Sequence, residues 1–163
     1  RDLSDLQQRQ KDTQVGLDER LRKFEPVKVT VDGREFSADV AEKRDYEQAL
    51  DIFRRGDFAA ARSALLTFVQ RHGQSGYLPS ALFWLGNAEY ATKDYKESMA
   101  HFRQMLAAAP AHVRAPEAML AISNVQQELK DSKGARKTLE DLIKIYPDAE
   151  TAQAAKDRLA RLR

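Results

Sequence analysis

The chain repeats itself. Displaced by 37 residues, three stretches fall into register: "GDFAAARSALLTFVQRHG" from Gly56, "KDYKESMAHFRQMLAAAP" from Lys93 and "KDSKGARKTLEDLIKIYP" from Lys130. Asp57, Asp94 and Asp131 coincide, as do the small residues Ala61, Ser98 and Ala135. The large residues Leu65, Phe102 and Leu139 follow, then Phe68, Met105 and Leu142, and Gly73, Pro110 and Pro147 close the units. Between them, "LPSALFWLGNAEYAT" and "APEAMLAISNVQQEL" align through Pro79/Pro116, Ala81/Ala118, Leu85/Ile122 and Asn87/Asn124. A period of this length marks one supersecondary unit stacked on copies of itself.

Each unit reads as two helices. Proline is tolerated in a first turn, where its missing N–H would be unbonded anyway, so Pro79 and Pro116 mark helix starts. The Gly-Asp or Lys-Asp pair ends the first helix, and the aspartate is placed to cap the second by accepting a backbone N–H. The small residue admits close helix approach, and the large one a turn later fills the space beside it. One helical pair cannot bury such a face alone, so the units must stack as a solenoid. The expectation is an all-α domain over residues 41–163: three pairs plus a terminal helix, "AETAQAAKDRLARLR", whose Leu159 is in register with Ile122. Its Arg158, Arg161 and Arg163 fit either an anion patch or a solvated face favoured by the helix dipole.

The second unit resembles a tetratricopeptide repeat, whose signature runs Trp-x2-Leu-Gly-x2-Tyr, then Ala, Phe and Pro. Leu85, Gly86, Ser98, Phe102 and Pro110 fall on the Leu, Gly, Ala, Phe and Pro positions. Leu82 stands where Trp is expected, with Trp84 two later, and Glu89 stands where Tyr is expected, beside Tyr90. The period exceeds the usual length of about 34, and the extra residues fall in "GQSGYLP" and "AHVRAP". The resemblance implies a concave binding face lined by Tyr46, Leu50, Phe53, Phe83, Asn87, Tyr90, Glu117, Leu120, Asn124 and Gln127. Phe53 and Phe83 fit groove and inter-repeat core equally well. Asn87 and Asn124, one repeat apart, fit either a grip on a peptide backbone or hydrogen bonds between helices.

The amino-terminal residues have another grammar. Over residues 1–25, Leu3, Gln10, Leu17 and Phe24 recur every seventh position, with Leu6 and Thr13 between them. That is a short heptad pattern with polar layers, and Gly16 weakens the helix. It fits either an exposed helix or the end of an oligomerising coiled coil. Pro26 stops it, and residues 26–40 form a linker. Within the linker, "VKVTVDGREF" alternates in period two around Asp32-Gly33, a hairpin-turn signal. An isolated hairpin is marginal, so this one either packs on a neighbour or remains a linker.

Composition removes most chemistries. Net charge is +2 and the charges are mixed along the chain, so the basic, aromatic-interleaved footprint of a nucleic-acid binder is missing. Apolar runs are too short to span a bilayer. With no cysteine there is no disulfide or thiolate chemistry. His72, His101 and His112 lie at unrelated spacings, and no glycine-rich phosphate loop or nucleophile elbow occurs. Asp57, Asp94 and Asp131 come one per unit, too far apart for joint acid–base work. No catalytic, cofactor or metal residues are expected; the function is binding. The chain begins at Arg1, which suggests a processed or trimmed form that a secretory signal once preceded.

The order of the parts carries a second resemblance. A heptad arm, a polar linker and then "EKRDYEQALDIFRRGDFAAARSALLTFVQR" and "ALFWLGNAEYATKDYKESMAHF" resemble the YbgF/CpoB family of periplasmic Tol–Pal accessory proteins over essentially the whole chain. That family implies a trimeric coiled coil, here through residues 1–24 with Leu3, Leu6, Gln10, Leu17 and Phe24 inward, ahead of a repeat domain. It also implies a periplasmic location, a TolA-like inner-membrane partner, a link to a peptidoglycan synthase, and coordination of envelope constriction with wall synthesis during division. The competing readings are a repeat lipoprotein of outer-membrane assembly, a cytosolic tetratricopeptide adaptor, and a helical domain trimmed from an enzyme.

Overall fold

The computed structural model describes residues 1–162; Arg163, one of the three terminal arginines considered above, lies outside the described residues. In chain order the elements are α1 (Asp2–Arg22), β1 (Val27–Val31), β2 (Arg34–Ala38), α2 (Val40–Arg54), α3 (Phe58–Arg71), α4 (Leu78–Ala91), α5 (Tyr95–Ala108), α6 (Ala115–Glu128), α7 (Ser132–Ile145) and α8 (Glu150–Arg161). Helices α2 to α8 pack each on the next in sequence. They form the expected three antiparallel pairs and a terminal helix, with no strand among the described residues between 56 and 147.

The aligned small and large positions are where the stack closes. Ala61, Ser98, Ala135, Leu65, Phe102 and Leu139 are all fully buried. Ser98 Oγ donates to the Gly86 carbonyl at 2.7 Å, which ties α5 to α4 and satisfies a hydroxyl without water. Gly86 is a glycine for a reason of space: a Cβ there would stand 2.7 Å from the Phe102 ring. The first and third units put Ala49 and Ser123 at the glycine position and Leu65 and Leu139 at the phenylalanine position. Large against none in the middle unit becomes medium against small in its neighbours. Interiors this dense leave volume little room to vary.

The turns follow the same register. Gly56, Lys93 and Lys130, the residues that end the first helices, all take positive φ (84°, 65° and 61°). That left-handed step reverses the chain before the aspartate. Asp57 and Asp131 then cap as expected, accepting from the Ala60 N–H at 3.1 Å and the Gly134 N–H at 2.9 Å. Asp94 does not. Its carboxylate is taken by the Thr92 hydroxyl and by the Arg62 guanidinium at 3.3 Å, so the α5 N-terminus has no side-chain cap.

At the amino terminus one expectation needs correcting and another, the hairpin turn, is met. The helix stops at Arg22, so Phe24 is not on the heptad seam; it sits in a turn, its N–H donating to the Leu21 carbonyl at 3.0 Å, two residues before Pro26. Leu3, Leu6, Gln10 and Leu17 do lie on α1, which has no buried residue. The fold is also not purely helical. Residues 27–38 form a two-stranded antiparallel hairpin with Val31 opposite Arg34, and Asp32 and Gly33 both take positive φ. This is the mirror-image turn whose twist matches the strands.

The hairpin packs on the helices. Val29 and Ala38 are buried on its inner face and join Tyr46, Leu50, Leu65, Phe68 and Tyr77 in one cluster. Phe36 meets Tyr77 edge-on at 4.9 Å. It also lies so close over Gly76 that a Cβ there would be 2.4 Å from its ring.

The contact between Gly86 and Phe102 yields a stability test. Gly86→Ala should destabilise by about 1–3 kcal/mol through overpacking. Adding Phe102→Leu, the pairing the first unit uses, should recover part of that loss. Denaturant unfolding of the two single variants and the double variant measures the coupling.

Candidate peptide-binding groove

The first helices of the three pairs, α2, α4 and α6, carry the residues expected to form the concave face. The structure divides them. Tyr46, Leu50 and Phe83 are buried, at 3%, 8% and 5% exposure, so they do not offer open contact area. Tyr46 stacks on Tyr77 at 4.3 Å beneath the hairpin. Phe83 meets Trp84 and Phe102 edge-on at 5.1 and 6.0 Å. Phe53 is half-buried between Phe58 and Trp84.

The amides are partly committed. Asn87 Nδ2 donates to the Phe83 carbonyl of its own helix at 2.9 Å. Asn124 Oδ1 accepts from Arg158 of α8, which gives that arginine a partner inside the protein. Tyr90 is half-buried and its hydroxyl donates to Glu128 at 3.4 Å. Glu117 is exposed and pairs with Arg114 at 3.3 Å. Leu120 packs against the third cluster, and Gln127 is half-buried beside it in sequence register with Tyr90.

The centre of the arrangement is a residue set that the sequence reading did not assemble. The tip of the hairpin reaches the amino-terminal ends of α4 and α6. Asp32 Oδ1 accepts from Arg114 Nε at 2.8 Å, and Asp32 Oδ2 accepts from Ser80 Oγ at 2.6 Å. His112 Nδ1 accepts the Arg114 backbone N–H at 3.0 Å. In the neutral ring the proton therefore sits on Nε2, which faces Asp32 Oδ2 at 3.7 Å and Ser80 Oγ at 3.4 Å. A carboxylate at two helix amino termini is also favoured by their dipoles. The Arg114 guanidinium lies over the Phe83 and Trp84 rings, 5.3 and 5.1 Å from their centroids. The rings hold its plane while Asp32 and Glu117 take its donors.

These contacts explain the extra loop length. The α3–α4 and α5–α6 connections each have six residues, 72–77 and 109–114, and both receive the hairpin, through Gly76 and Tyr77 and through His112 and Arg114. The α7–α8 connection has four residues, 146–149, and receives nothing from it. The signal was present as length. Its purpose was not readable, because Asp32 and Arg114 are 82 positions apart.

Beside the hairpin runs a groove of about 640 Å³. One wall is β1 from Lys28 to Val31 with Asp32 of the turn; the other is the face of α2 bearing Lys43, Tyr46, Glu47, Leu50, Asp51 and Arg54, closed by Tyr77, Trp84 and Arg114. Burial pushes the Tyr46 hydroxyl well above the ordinary phenol range, with the Asp32 charge adding to it, so it stays a neutral donor.

Tertiary folding sets each histidine near a carboxylate that sequence spacing did not suggest: His72 to Asp45 at 3.0 Å, His101 to the buried Glu89 at 2.6 Å, and His112 to Asp32. The hydrogen bond from His72 holds the Asp45 carboxyl below its usual range. No group of three metal-ligating side chains occurs among the described residues. No helix among them is long and apolar enough to cross a membrane. Ser80 Oγ stands 3.4 Å from His112 Nε2, but its hydrogen is given to Asp32 Oδ2 and His112 Nδ1 is held by the Arg114 N–H, so all three groups are committed to the clasp.

Comparison with known proteins agrees with this geometry. Residues 46–113 match one tetratricopeptide-repeat family model and residues 80–159 match a second. Among solved structures, the TPR2B domain of yeast Sti1 in complex with an Hsp70 peptide superposes with TM-score 0.63 at 13% identity, over 74% of this chain and 94% of that one. The first such domain of Spaghetti (RPAP3), bound to the HSP90 peptide SRMEEVD, gives 0.60 at 14%, covering 74% and 89%. The Yersinia enterocolitica type III secretion chaperone SycD, in complex with a YopD peptide, gives 0.61 at 11%, covering 77% and 91%. No curated protein sequence matches the chain.

Two outcomes test the clasp at the hairpin tip. Asp32→Asn keeps a residue that tolerates the turn but removes the charge. It should cost about 1–2 kcal/mol and speed amide exchange at Val29 and Val31. The second outcome concerns pH. Burial depresses His112 against the opposing pull of Asp32 and Glu117 and with the help of Arg34 and Arg114. The unfolded chain therefore takes up a proton below about 6.5 before the folded one does, and stability falls as pH drops through that window. His112→Asn should flatten the slope of unfolding free energy against pH there; the Asp45 contribution lies lower, below the ordinary aspartate range.

Proposed function

The chain belongs to the tetratricopeptide-repeat family, and from that premise we propose that it is a non-enzymatic periplasmic scaffold of the Tol–Pal system. In this reading it binds a TolA-like inner-membrane protein and a peptidoglycan synthase, and so couples envelope constriction to wall synthesis during division. The observation that carries the binding role is the groove between β1 and the first helix of the first repeat, closed by Tyr77, Trp84 and Arg114. Solved relatives of the fold hold peptides, which supports a peptide partner here. The assignment to the Tol–Pal machinery rests on sequence: the heptad arm, the linker and the "ALFWLGNAEY" and "KDYKESMAHF" segments in that order.

The arm supplies the second half of the proposal. Leu3, Leu6 and Leu17 stand 71%, 61% and 52% exposed on α1. A seam so open is best accounted for by copies of itself, and a trimer through residues 1–24 would present three grooves from one stalk. Repeated weak contacts then act together as avidity.

Two measurements decide these points. Titration calorimetry against the purified periplasmic portion of a TolA-like protein should show saturable binding. Lys43→Ala combined with Glu47→Ala, two exposed residues that line the groove, should weaken it by about 1–2 kcal/mol at an unchanged melting temperature. A folded wild-type protein that fails to bind would remove the Tol–Pal reading. Sedimentation should show a trimer that Leu17→Asp converts to monomer, because a charge is placed in the seam; a monomer at high concentration with the arm intact would overturn the assembly.

A further inference from the structure

The hairpin leaves one kind of chemistry unused. With a two-residue turn at Asp32 and Gly33, the hydrogen-bonded pairs are Val31 with Arg34, Val29 with Phe36 and Val27 with Ala38. The N–H and C=O groups of Lys28 and Thr30 therefore point away from β2, and none of them has a partner among the described residues. The groove is bordered by four consecutive residues of β1, Lys28 to Val31, with Asp32 of the turn, and by no residue of β2. It is thus the open edge of β1, and not that of β2, that borders the groove beside α2.

We propose that this edge is a strand-addition site, taken by an extended peptide segment of a protein partner with alternating apolar and polar residues. The proposal rests on the peptide-binding reading above and says how the peptide is held. A strand laid beside β1 finds alternating donors and acceptors spaced as its own are, over roughly 15 Å of edge. Side chains alternate across a sheet, and on β1 the inward face is Val27, Val29 and Val31 while Lys28 and Thr30 face solvent. The added strand continues that plan. Its apolar side chains lie toward the half-buried Trp84, and its polar ones point outward with Lys28 and Thr30.

Charge narrows the occupant. Four cations line the groove, Lys28, Lys43, Arg54 and Arg114, against the acids Asp32, Glu47 and Asp51. Three of the cations already pair, with Glu35, Asp51 and Asp32. What remains suits a neutral or weakly acidic segment and gives no foothold to a polyanion.

The chain has a single tryptophan, Trp84, and it lines the groove, so binding has a built-in reporter. The probe is an acetylated and amidated heptapeptide alternating valine and threonine, with one glutamate for solubility. The expected result is a saturable change in tryptophan emission together with at least about tenfold slower hydrogen exchange at the Lys28 and Thr30 amides. The same peptide N-methylated on alternate residues should do neither. Thr30→Pro removes an N–H that the hairpin itself does not use, and proline is tolerated on an edge strand. It should weaken the peptide at least tenfold without moving the melting temperature. Equal binding by the N-methylated peptide, or by folded Thr30→Pro, would overturn the proposal, as would self-association abolished by that variant. A TolA-like domain that binds wild type and Thr30→Pro alike removes the edge as its site and leaves the scaffold standing. A TolA-like domain that fails to bind while the heptapeptide binds the edge supports the edge and sinks the Tol–Pal assignment.

Discussion

Everything in the helical body depends on helices approaching until a ring rests on bare backbone. Phe102 lies against Gly86, and Ser98 donates to the carbonyl of that same glycine. The contact fixes the distance and rotation between α4 and α5 together, because a ring and a hydroxyl on one helix find their places on the other at once. The aligned positions carry Ala49 and Leu65 in the first unit and Ser123 and Leu139 in the third, a medium side chain paired with a small one, with neither the ring nor the Ser98 hydroxyl. The faces this leaves uncovered belong to the first helices.

Those faces would be a simple trough without the hairpin. Phe36 presses on Gly76, and Asp32 enters between Ser80 and Arg114, so the trough gains a wall of a different material. One side is helix, carrying side chains; the other is a strand edge, offering backbone. Side chains discriminate by shape and charge, whereas backbone accepts almost any extended sequence. The combination gives affinity without narrow sequence demands along one wall and selectivity along the other.

Much of this was legible before any coordinates. The register of small and large residues, the prolines at helix starts and the Asp32-Gly33 turn are local patterns whose physical meaning does not depend on distant neighbours. What failed was whatever a distant neighbour decides. Asp94 lost its cap because Arg62, one repeat earlier, competes for its carboxylate. Tyr46 became core because the hairpin covers it, and Phe83 because it packs on Phe102 with Arg114 laid across it. Phe24 kept the heptad spacing but fell beyond the last helical turn, where Pro26 ends the helix. His112 and Arg114 were visible only as surplus length in a loop.

The bond between Asp32 and Arg114 has a consequence for how the molecule comes together. A plain solenoid is held by nearest neighbours, so its repeats can form and fray one at a time. Here residues 82 positions apart in the chain are joined, and the link passes from before the first repeat to the threshold of the third. During synthesis the hairpin emerges early, and its tip must wait unclasped until Arg114 has been made. Once docked, it converts a linear stack into a closed loop of contacts, in which the first repeat cannot loosen without disturbing the third. Slower assembly and sharper, more concerted unfolding are two faces of that one long-range closure.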